Sequence, residues 1–302
     1  MALSRFFEKT ETVVMPSSIK TDPDGFEFFA SLLKQTARRQ TFILDFKNVV
    51  WIEANLCAVL GCIIHYGKES GNSFEIINLP KDGYIKNTIT NNGFMTLVLN
   101  SPRPKRRSTG ILFRSFDMKN EDEVEAYIYE YVLNSKRVPR MTALAKKKVY
   151  RSIFEIYQNS VMHSKADRIF VCGQYYPGKG KMALTMVELG RSFKDNVSQH
   201  DPRFKDYSGC EAIEWAVETG NTTKPKNETG GLGLDLIRDF LKMNEGKLQI
   251  RSADGYWEEK KGNISSQSCI TSFSGSIVNI EFNLFDNKEY YTTEEIDVKS
   301  IL

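Results

Sequence analysis

Apolar positions in the first 100 residues follow two different periods along the chain. Short apolar runs, which are typical of strands, cover residues 11–15, 41–46 and 73–79. Apolar residues at helical spacing cover residues 24–39, 54–69 and 82–91. Because the strands are separated by helices, the pattern predicts an α/β sandwich with a partly parallel sheet.

A basic stretch without apolar residues, SPRPKRRSTG at 101–110, interrupts this alternation. Polar segments that contain proline are typical of domain boundaries. The sequence therefore predicts a first α/β domain, a linker with the strand that follows it, a second domain and a polar tail. Their bounds are 1–100, 101–118, 119–285 and 286–302.

Helical and strand-like periods resume after the linker. Helices are predicted at 122–133, 142–163 and 232–243, and strands at 111–116, 168–175, 182–188, 247–252 and 276–283. Residues 191–229 are polar and show little periodicity except near 211–218. A loop of this length is uncommon unless it is functional, so the segment is predicted to be a functional loop.

Composition and charge limit the classes of function. The 302 residues are 41% hydrophobic and 26% charged, as in ordinary globular proteins, and the net charge of +3 is too small to indicate nucleic acid binding. The basic linker residues have no aromatic residues between them, which favours a solvated linker over a nucleic acid contact. The longest apolar run, 54–66, is shorter than the roughly 20 residues that span a bilayer.

Cysteine usage points to a reducing compartment. The five cysteines are Cys57, Cys62, Cys172, Cys210 and Cys269. They form no CxxC pair, and an odd number does not suit a disulfide framework. We therefore expect reduced thiols and a cytoplasmic protein.

Three polar residues on the predicted helix 142–163 are spaced by four, namely Glu155, Asn159 and His163. At this spacing they share one helical face. The Asn159 carbonyl oxygen suits a magnesium ion that phosphates and waters already hold, and the Glu155 carboxylate suits a general base acting on water. The alternative is a solvated helix face, which is the commoner reason for such spacing.

Two further segments have candidate chemistry. TGGLGL at 229–234 opens an apolar helix, where glycines let the backbone approach a ligand and free N–H groups favour phosphate; a simple turn is the alternative. VELGRSF at 187–193 places Glu188 at a strand end before a glycine turn. A buried carboxylate there is expected to accept a hydrogen bond from an amino group such as that of adenine.

In this order and at these separations, the three motifs resemble the N, G1 and G2 boxes of the Bergerat-fold ATPases, which include gyrases, histidine kinases and anti-sigma-factor kinases. EIYQNSVMHS at 155–164 is similar to the N box, and GGLGLDLIRDFLKMNEGKLQIRS at 230–252 is similar to the G2 box with its next strand. FSGSIVNIEF at 273–282 resembles the last strand of the family. The resemblance covers about 130 residues and implies a two-layer ATPase domain.

The resemblance implies ATP and Mg2+ as cofactors and a role for each matched residue. Asn159 would hold magnesium, Glu155 would be the general base, and Glu188 with Ser276 would face adenine. The other positions assigned to ATP are Gly190, Thr223, Lys224, Gly230, Gly231, Gly233 and Leu234. Residues 194–229 would form the lid over the nucleotide.

Two departures from the family pattern matter, at Glu188 and at Ser192, and the last strand has Ser276 in place of a threonine. Glu188 replaces an aspartate and is one methylene longer, so it is expected to press toward the base. Ser192 replaces a glycine and adds a Cβ, while Ser276 replaces a threonine and keeps the hydroxyl group. These departures put the affinity for nucleotide in question more than the fold.

The first 100 residues resemble a STAS domain of the anti-sigma-factor antagonist type. The resemblance lies in FILDFKNVVWIEANLCAVL at 42–60 and FEIINLP at 74–80. The family carries a phosphorylatable serine in an Asp-Ser-Ser-Gly loop, where this chain has Glu53, Ala54, Asn55 and Leu56. No hydroxyl group is present, so we expect no phosphorylation switch there. Glu53 lies near the helix start. It either mimics the negative charge of a phosphorylated serine or, as we favour, belongs to an ordinary helix-capping region.

Three functions compete at this point. The first is an ATP- and magnesium-dependent switch that controls protein–protein interaction through the STAS-like domain or the lid, with slow ATPase activity as an option. The second is an ATPase or a Ser/Thr protein kinase of the anti-sigma-factor-kinase type. The third is a degenerate scaffold that binds no nucleotide. Both families often form dimers, which leaves a homodimer open, and no membrane partner is expected.

Overall fold

The computed structural model describes residues 9–81, 83–99, 109–221, 233–292 and 294–295. The linker residues 101–108 and the end of the tail lie outside these ranges.

The first part of the chain is an α/β layer in which every predicted strand and helix is present. Its elements are β1 Thr10–Val14, β2 Ser18–Ile19, α1 Pro23–Gln35, β3 Thr41–Asp45, β4 Trp51–Ile52, α2 Cys57–Glu69, β5 Ser73–Ile77, α3 Tyr84–Asn91 and α4 Phe94–Leu99. The strands β1, β3 and β5 form a parallel sheet in that order, as the alternation of strands and helices predicts. A short 3-10 turn, Ala54–Leu56, leads into α2.

The second part of the chain is built on a five-stranded antiparallel sheet. Its elements are β6 Gly110–Asp117, α5 Glu121–Tyr127, β7 Arg140–Met141, α6 Ala143–His163, β8 Arg168–Tyr176, β9 Lys181–Glu188, α7 Phe193–His200, α8 Gly209–Val217, α9 Gly233–Met243, β10 Lys247–Lys260, β11 Asn263–Asn283 and β12 Glu289–Tyr290. The strand order is β10-β11-β9-β8-β6. A π-helical stretch, Ile128–Leu133, extends α5, and β12 from the predicted tail pairs in parallel with β7. The α/β fold class predicted from the sequence is confirmed.

Two predictions for this part are wrong. The segment 191–229 is not a continuous loop, because α7 and α8 lie within it. Each helix begins with a capping box, one formed by Ser192 and Asp195 and the other by Ser208 and Glu211. These boxes satisfy the first backbone N–H groups locally, so the two short helices form in a polar sequence.

The strands predicted at 247–252 and 276–283 are much longer in the structure. β10 and β11 continue outward as a hairpin that turns at Lys261 and Gly262, where both residues have positive φ angles of 54° and 81°. A two-residue turn in which both φ angles are positive matches the right-handed twist of the flanking strands. The serine-rich sequence of β11 lacks clear alternation, so pairing with β10 rather than its own pattern makes it a strand.

The five-stranded sheet has a different layer on each face. Met186 on β9 packs with α6 and α9, whereas the neighbouring Val187 belongs to the core shared with the first part of the chain. Side chains alternate between the two faces of a strand, so one strand contributes to both layers. Gly61 on α2 lies against Phe113 on β6, and a Cβ there would collide with the phenylalanine ring. The core therefore continues across the predicted linker.

No helix in the described ranges is long and apolar enough to cross a membrane. All five cysteine thiols lie in these ranges and are free, with Cys57, Cys62 and Cys172 fully buried.

Candidate functional site

A pocket that is partly open to solvent lies between the helices and the sheet, and it encloses a cavity of about 110 Å³. Its walls come from α6, α7, α8, the start of α9, the end of β9 and interior positions of β10 and β11. Of the residues predicted from the sequence, the wall contains Glu155, Asn159, Glu188, Leu234 and Ser276.

The helix α6 presents Glu155, Asn159 and His163 to the pocket together. The opposite side of the same helix is apolar, with Val149 and Ile153 buried in the core, so the polar face is turned to the cavity. Thr142 caps the helix by accepting a hydrogen bond from the Ala145 N–H group. Packing and capping thus fix the direction in which these side chains point.

The buried carboxyl group of Glu188 is the most unusual group in the wall. Glu188 is 2% exposed, and its Oε1 atom accepts a hydrogen bond of 2.7 Å from the Ser276 hydroxyl group. Its Oε2 atom is buried without a hydrogen-bond partner among the described residues. Burial raises the pKa of Glu188 to about 7, although the hydrogen bond from Ser276 and the nearby Ser164 hydroxyl group oppose the shift. An acceptor atom left unpaired next to a cavity is suited to a ligand that donates.

Gly190 and Ser192 stand beside the pocket and do not form its wall. Gly190 lies against the Ser164 carbonyl group, and a Cβ at Gly190 would collide with it. The Ser192 hydroxyl group donates to Asp195 Oδ2 at 2.7 Å and accepts from the Asp195 N–H group at 3.1 Å. The side chain of Ser192 is therefore committed to capping α7.

The start of α9 reaches the pocket with Leu234 and Asp235. Gly233 is the first residue of this helix. Asp235 accepts a hydrogen bond of 3.0 Å from the Thr219 hydroxyl group at Oδ1, while Oδ2 is buried without a partner among the described residues. The predicted nucleotide residues Thr223, Lys224, Gly230 and Gly231 lie outside the described residues.

Several wall residues were not named individually from the sequence, although four of them lie in the predicted lid, 194–229. They are Arg191, Phe193, Asn196, Trp215, Glu218, Asn221 and Asp235. Most belong to α7 and α8 or flank them, and the signal that would have found them is the pair of capping boxes.

The wall combines an acceptor that is unpaired among the described residues with apolar surface. The Glu188 Oε2 atom suits a ligand that donates a hydrogen bond, and Trp215 and Val217 give apolar surface in the same wall. The described residues contain no group of three or more His, Cys, Asp or Glu side chains that would hold a metal ion. A magnesium ion near Asn159 would therefore take most of its ligands from phosphate and water, as magnesium commonly does.

No protein-family model matches the chain, and a search of curated proteins finds no match.

Proposed function

We propose that this protein binds ATP with Mg2+ in the pocket and acts as a nucleotide-dependent switch that controls protein–protein interaction through its STAS-like first part. The observation that supports it most is the Glu188 Oε2 atom, which is buried in the wall and lacks a donor among the described residues. The N6 amino group of adenine supplies a donor of the right kind. Guanine presents a carbonyl oxygen at the equivalent position, which the Glu188 carboxylate repels at a pH above its pKa of about 7.

Each end of the pocket has a separate task in this proposal. Glu188 and Ser276 hold the base at the sheet, and the start of α9 offers backbone N–H groups to the phosphates. The Asn159 carbonyl oxygen binds magnesium, which neutralises phosphate charge when it is bound. The protein that receives the signal is a partner of the STAS-like part or of the segment after α8.

ATP hydrolysis or Ser/Thr phosphorylation is the second candidate, because Glu155 lies one turn before Asn159 on the same wall. In that role the Glu155 carboxylate takes the proton of an attacking water or hydroxyl group. If Glu155→Ala leaves turnover unchanged while ATP still binds, this assignment is wrong. The scaffold alternative loses part of its support, since the Ser192 side chain caps α7 and is not in the pocket wall.

Calorimetric titration with ATP and Mg2+ tests the proposal. We expect Asn159→Ala to weaken binding at least about tenfold, because the lost ligand corresponds to about 1.4 kcal/mol or more. Asn87→Ala is the matched control, since Asn87 is exposed on α3 and outside the pocket wall. Absence of binding at millimolar ATP would make the scaffold function the leading one.

A comparison of ATP with GTP tests the role of the base. We expect clear preference for ATP in the wild type and a smaller preference in Glu188→Gln, because the glutamine amide both donates and accepts. Equal binding of both nucleotides by the wild type would contradict the role of Glu188. A pull-down whose partners are the same with and without ATP would contradict the switch.

A further inference from the structure

A buried polar network lies on the face of the five-stranded sheet opposite the pocket. We call it the interface network, and it consists of Thr21, Asn55, Thr185, Gln249 and Asn279. The Asn55 amide donates to the hydroxyl groups of Thr21 and Thr185, each at 2.9 Å, and to Asn279 Oδ1 at 3.1 Å. The Asn279 amide donates to Gln249 Oε1 at 2.9 Å. The Gln249 amide in turn donates a hydrogen bond of 3.0 Å to the Thr21 carbonyl oxygen.

The network joins the STAS-like part to the sheet in one arrangement. Asn55, Thr185, Gln249 and Asn279 are each 0% exposed, so any displacement of the first part would leave several buried polar groups unpaired. Such groups are costly without partners, and a fully paired network specifies a unique docking geometry. The turn that carries Asn55 is the one that resembles the phosphorylation loop of STAS domains. In this chain it is buried against the five-stranded sheet.

Glu53 in the same turn is also engaged by the sheet. Its Oε1 atom pairs with Lys181 Nζ at 2.9 Å, and its Oε2 atom accepts two hydrogen bonds from Thr21. Burial alone would raise the pKa of Glu53, but Lys181 and Thr21 outweigh it and the pKa is lowered. Glu53 is thus a carboxylate that is paired with Lys181 and Thr21, and not a free charge at the helix start.

The strands that carry this network also carry the pocket residues. Thr185 and Glu188 lie on opposite faces of β9, and Asn279 and Ser276 lie on opposite faces of β11. Because these residues are three apart on a strand, a shift of either strand moves the network and the adenine end of the pocket together. The pocket and the docked first part therefore share the position of two strands.

A second contact leads from α2 to the same end of the pocket. The Tyr66 hydroxyl group donates to Asp167 Oδ1 at 2.5 Å. Asp167 belongs to the loop after α6 that begins with Ser164, and Ser164 lines the pocket and accepts a hydrogen bond of 2.6 Å from the Arg191 N–H group. Cys62 of α2 and Val187, the neighbour of Glu188 on β9, belong to the same buried core, so this part of α2 packs behind the strand end that carries Glu188.

We propose, on the basis of the nucleotide function above, that Asn55 and Tyr66 are positioning residues for the nucleotide pocket. The docked STAS-like part holds β9, β11 and the Ser164 loop in the arrangement that aims Glu188 at the base. Weakening the contact between the STAS-like part and the sheet lowers the affinity for nucleotide. By thermodynamic reciprocity, a bound nucleotide strengthens that contact. The first part thus regulates the pocket from behind the sheet, without entering it.

A double-mutant cycle on Tyr66 and Asp167 tests the proposal by ATP calorimetry. Tyr66→Phe removes only a hydroxyl group, and we expect it to weaken ATP binding about fivefold. Asp167→Ala is expected to do the same, Asp167→Asn to retain affinity because it keeps an acceptor, and the double variant to lose no more than either single variant. Tyr129→Phe is the control, because Tyr129 is exposed and outside the pocket wall.

Hydrogen exchange of residues 54–69 supplies a second measurement. If Asn55 and Tyr66 only stabilised their own surroundings, bound ATP would not change the exchange of this segment. We expect ATP to slow exchange there in the wild type, and Asn55→Asp to speed exchange and weaken ATP binding together. Unchanged affinity in Tyr66→Phe, or no effect of bound ATP on this segment, would overturn the proposal. Failure of the wild type to bind ATP would instead contradict the proposed function itself, so the two failures are distinguishable.

Discussion

At the residue scale, the buried carboxyl group of Glu188 is the group in the pocket wall whose pKa is most clearly raised. Glu188 is buried, yet only one of its two oxygen atoms has a partner among the described residues. Leaving such a group underpaired costs stability, and perturbed buried carboxyl groups in clefts are common at functional sites. Ser276 offsets part of this cost, and a ligand that donates to Oε2 would offset more.

The raised pKa of Glu188 makes stability depend on pH. A carboxyl group whose pKa is raised from 4.5 to about 7 in the folded state contributes stability that is present below pH 4.5 and lost as pH rises through 7. The loss is about 3 kcal/mol. We therefore expect the stability of Glu188→Gln relative to the wild type to increase by about 3 kcal/mol between pH 4.5 and 8. Urea unfolding of both proteins across this range measures the difference, and a constant difference would contradict it.

At the element scale, short capped helices shape the open side of the pocket. The helix α7 starts at the Ser192 capping box, and the next residue, Phe193, donates its N–H group to Ser252 Oγ at 3.0 Å. This bond ties the helix start to β10. Ser192 therefore anchors the start of α7, while Gly190 preserves the close approach to the Ser164 loop.

Substitutions of Ser192 distinguish its effect on stability, through helix capping, from any effect on the shape of the pocket. We expect Ser192→Ala to lower the free energy of unfolding by about 1 kcal/mol, and Ser192→Gly to lower it by only a few tenths, as is usual at this helix position. Neither variant is expected to change ATP affinity by more than about twofold, since the side chain is outside the wall. Denaturant unfolding and calorimetry check both statements. A large gain of affinity in Ser192→Gly would show that the serine narrows the pocket.

At the scale of the whole molecule, the two halves of the chain behave as one packed body around the five-stranded sheet. The core cluster on one face joins Leu60 and Ile63 of α2 to Phe170, Val187 and Ile277 of the sheet. Removing the first part would expose this apolar face to water, at a cost proportional to its area.

Unfolding is therefore expected to be cooperative across the predicted domain boundary. Hydrogen exchange in increasing urea should give the same transition midpoint for peptides from α2 and from α6, because neither layer keeps its core without the sheet. Loss of protection in α2 at a clearly lower urea concentration, with α6 still protected, would show that the halves unfold independently.

Local patterns in the sequence determined most elements and part of the site. Helical spacing placed Glu155, Asn159 and His163 on one face, because neighbouring turns of a helix depend only on residues close in the chain. The pairing of Glu188 with Ser276 and of Asn55 with Thr185 was decided only by tertiary structure, since these residues are 88 and 130 positions apart and meet through sheet register and layer packing. The long hairpin likewise exists because its two strands pair with each other. The sequence thus determined which groups are available, and the fold determined which of them face one another.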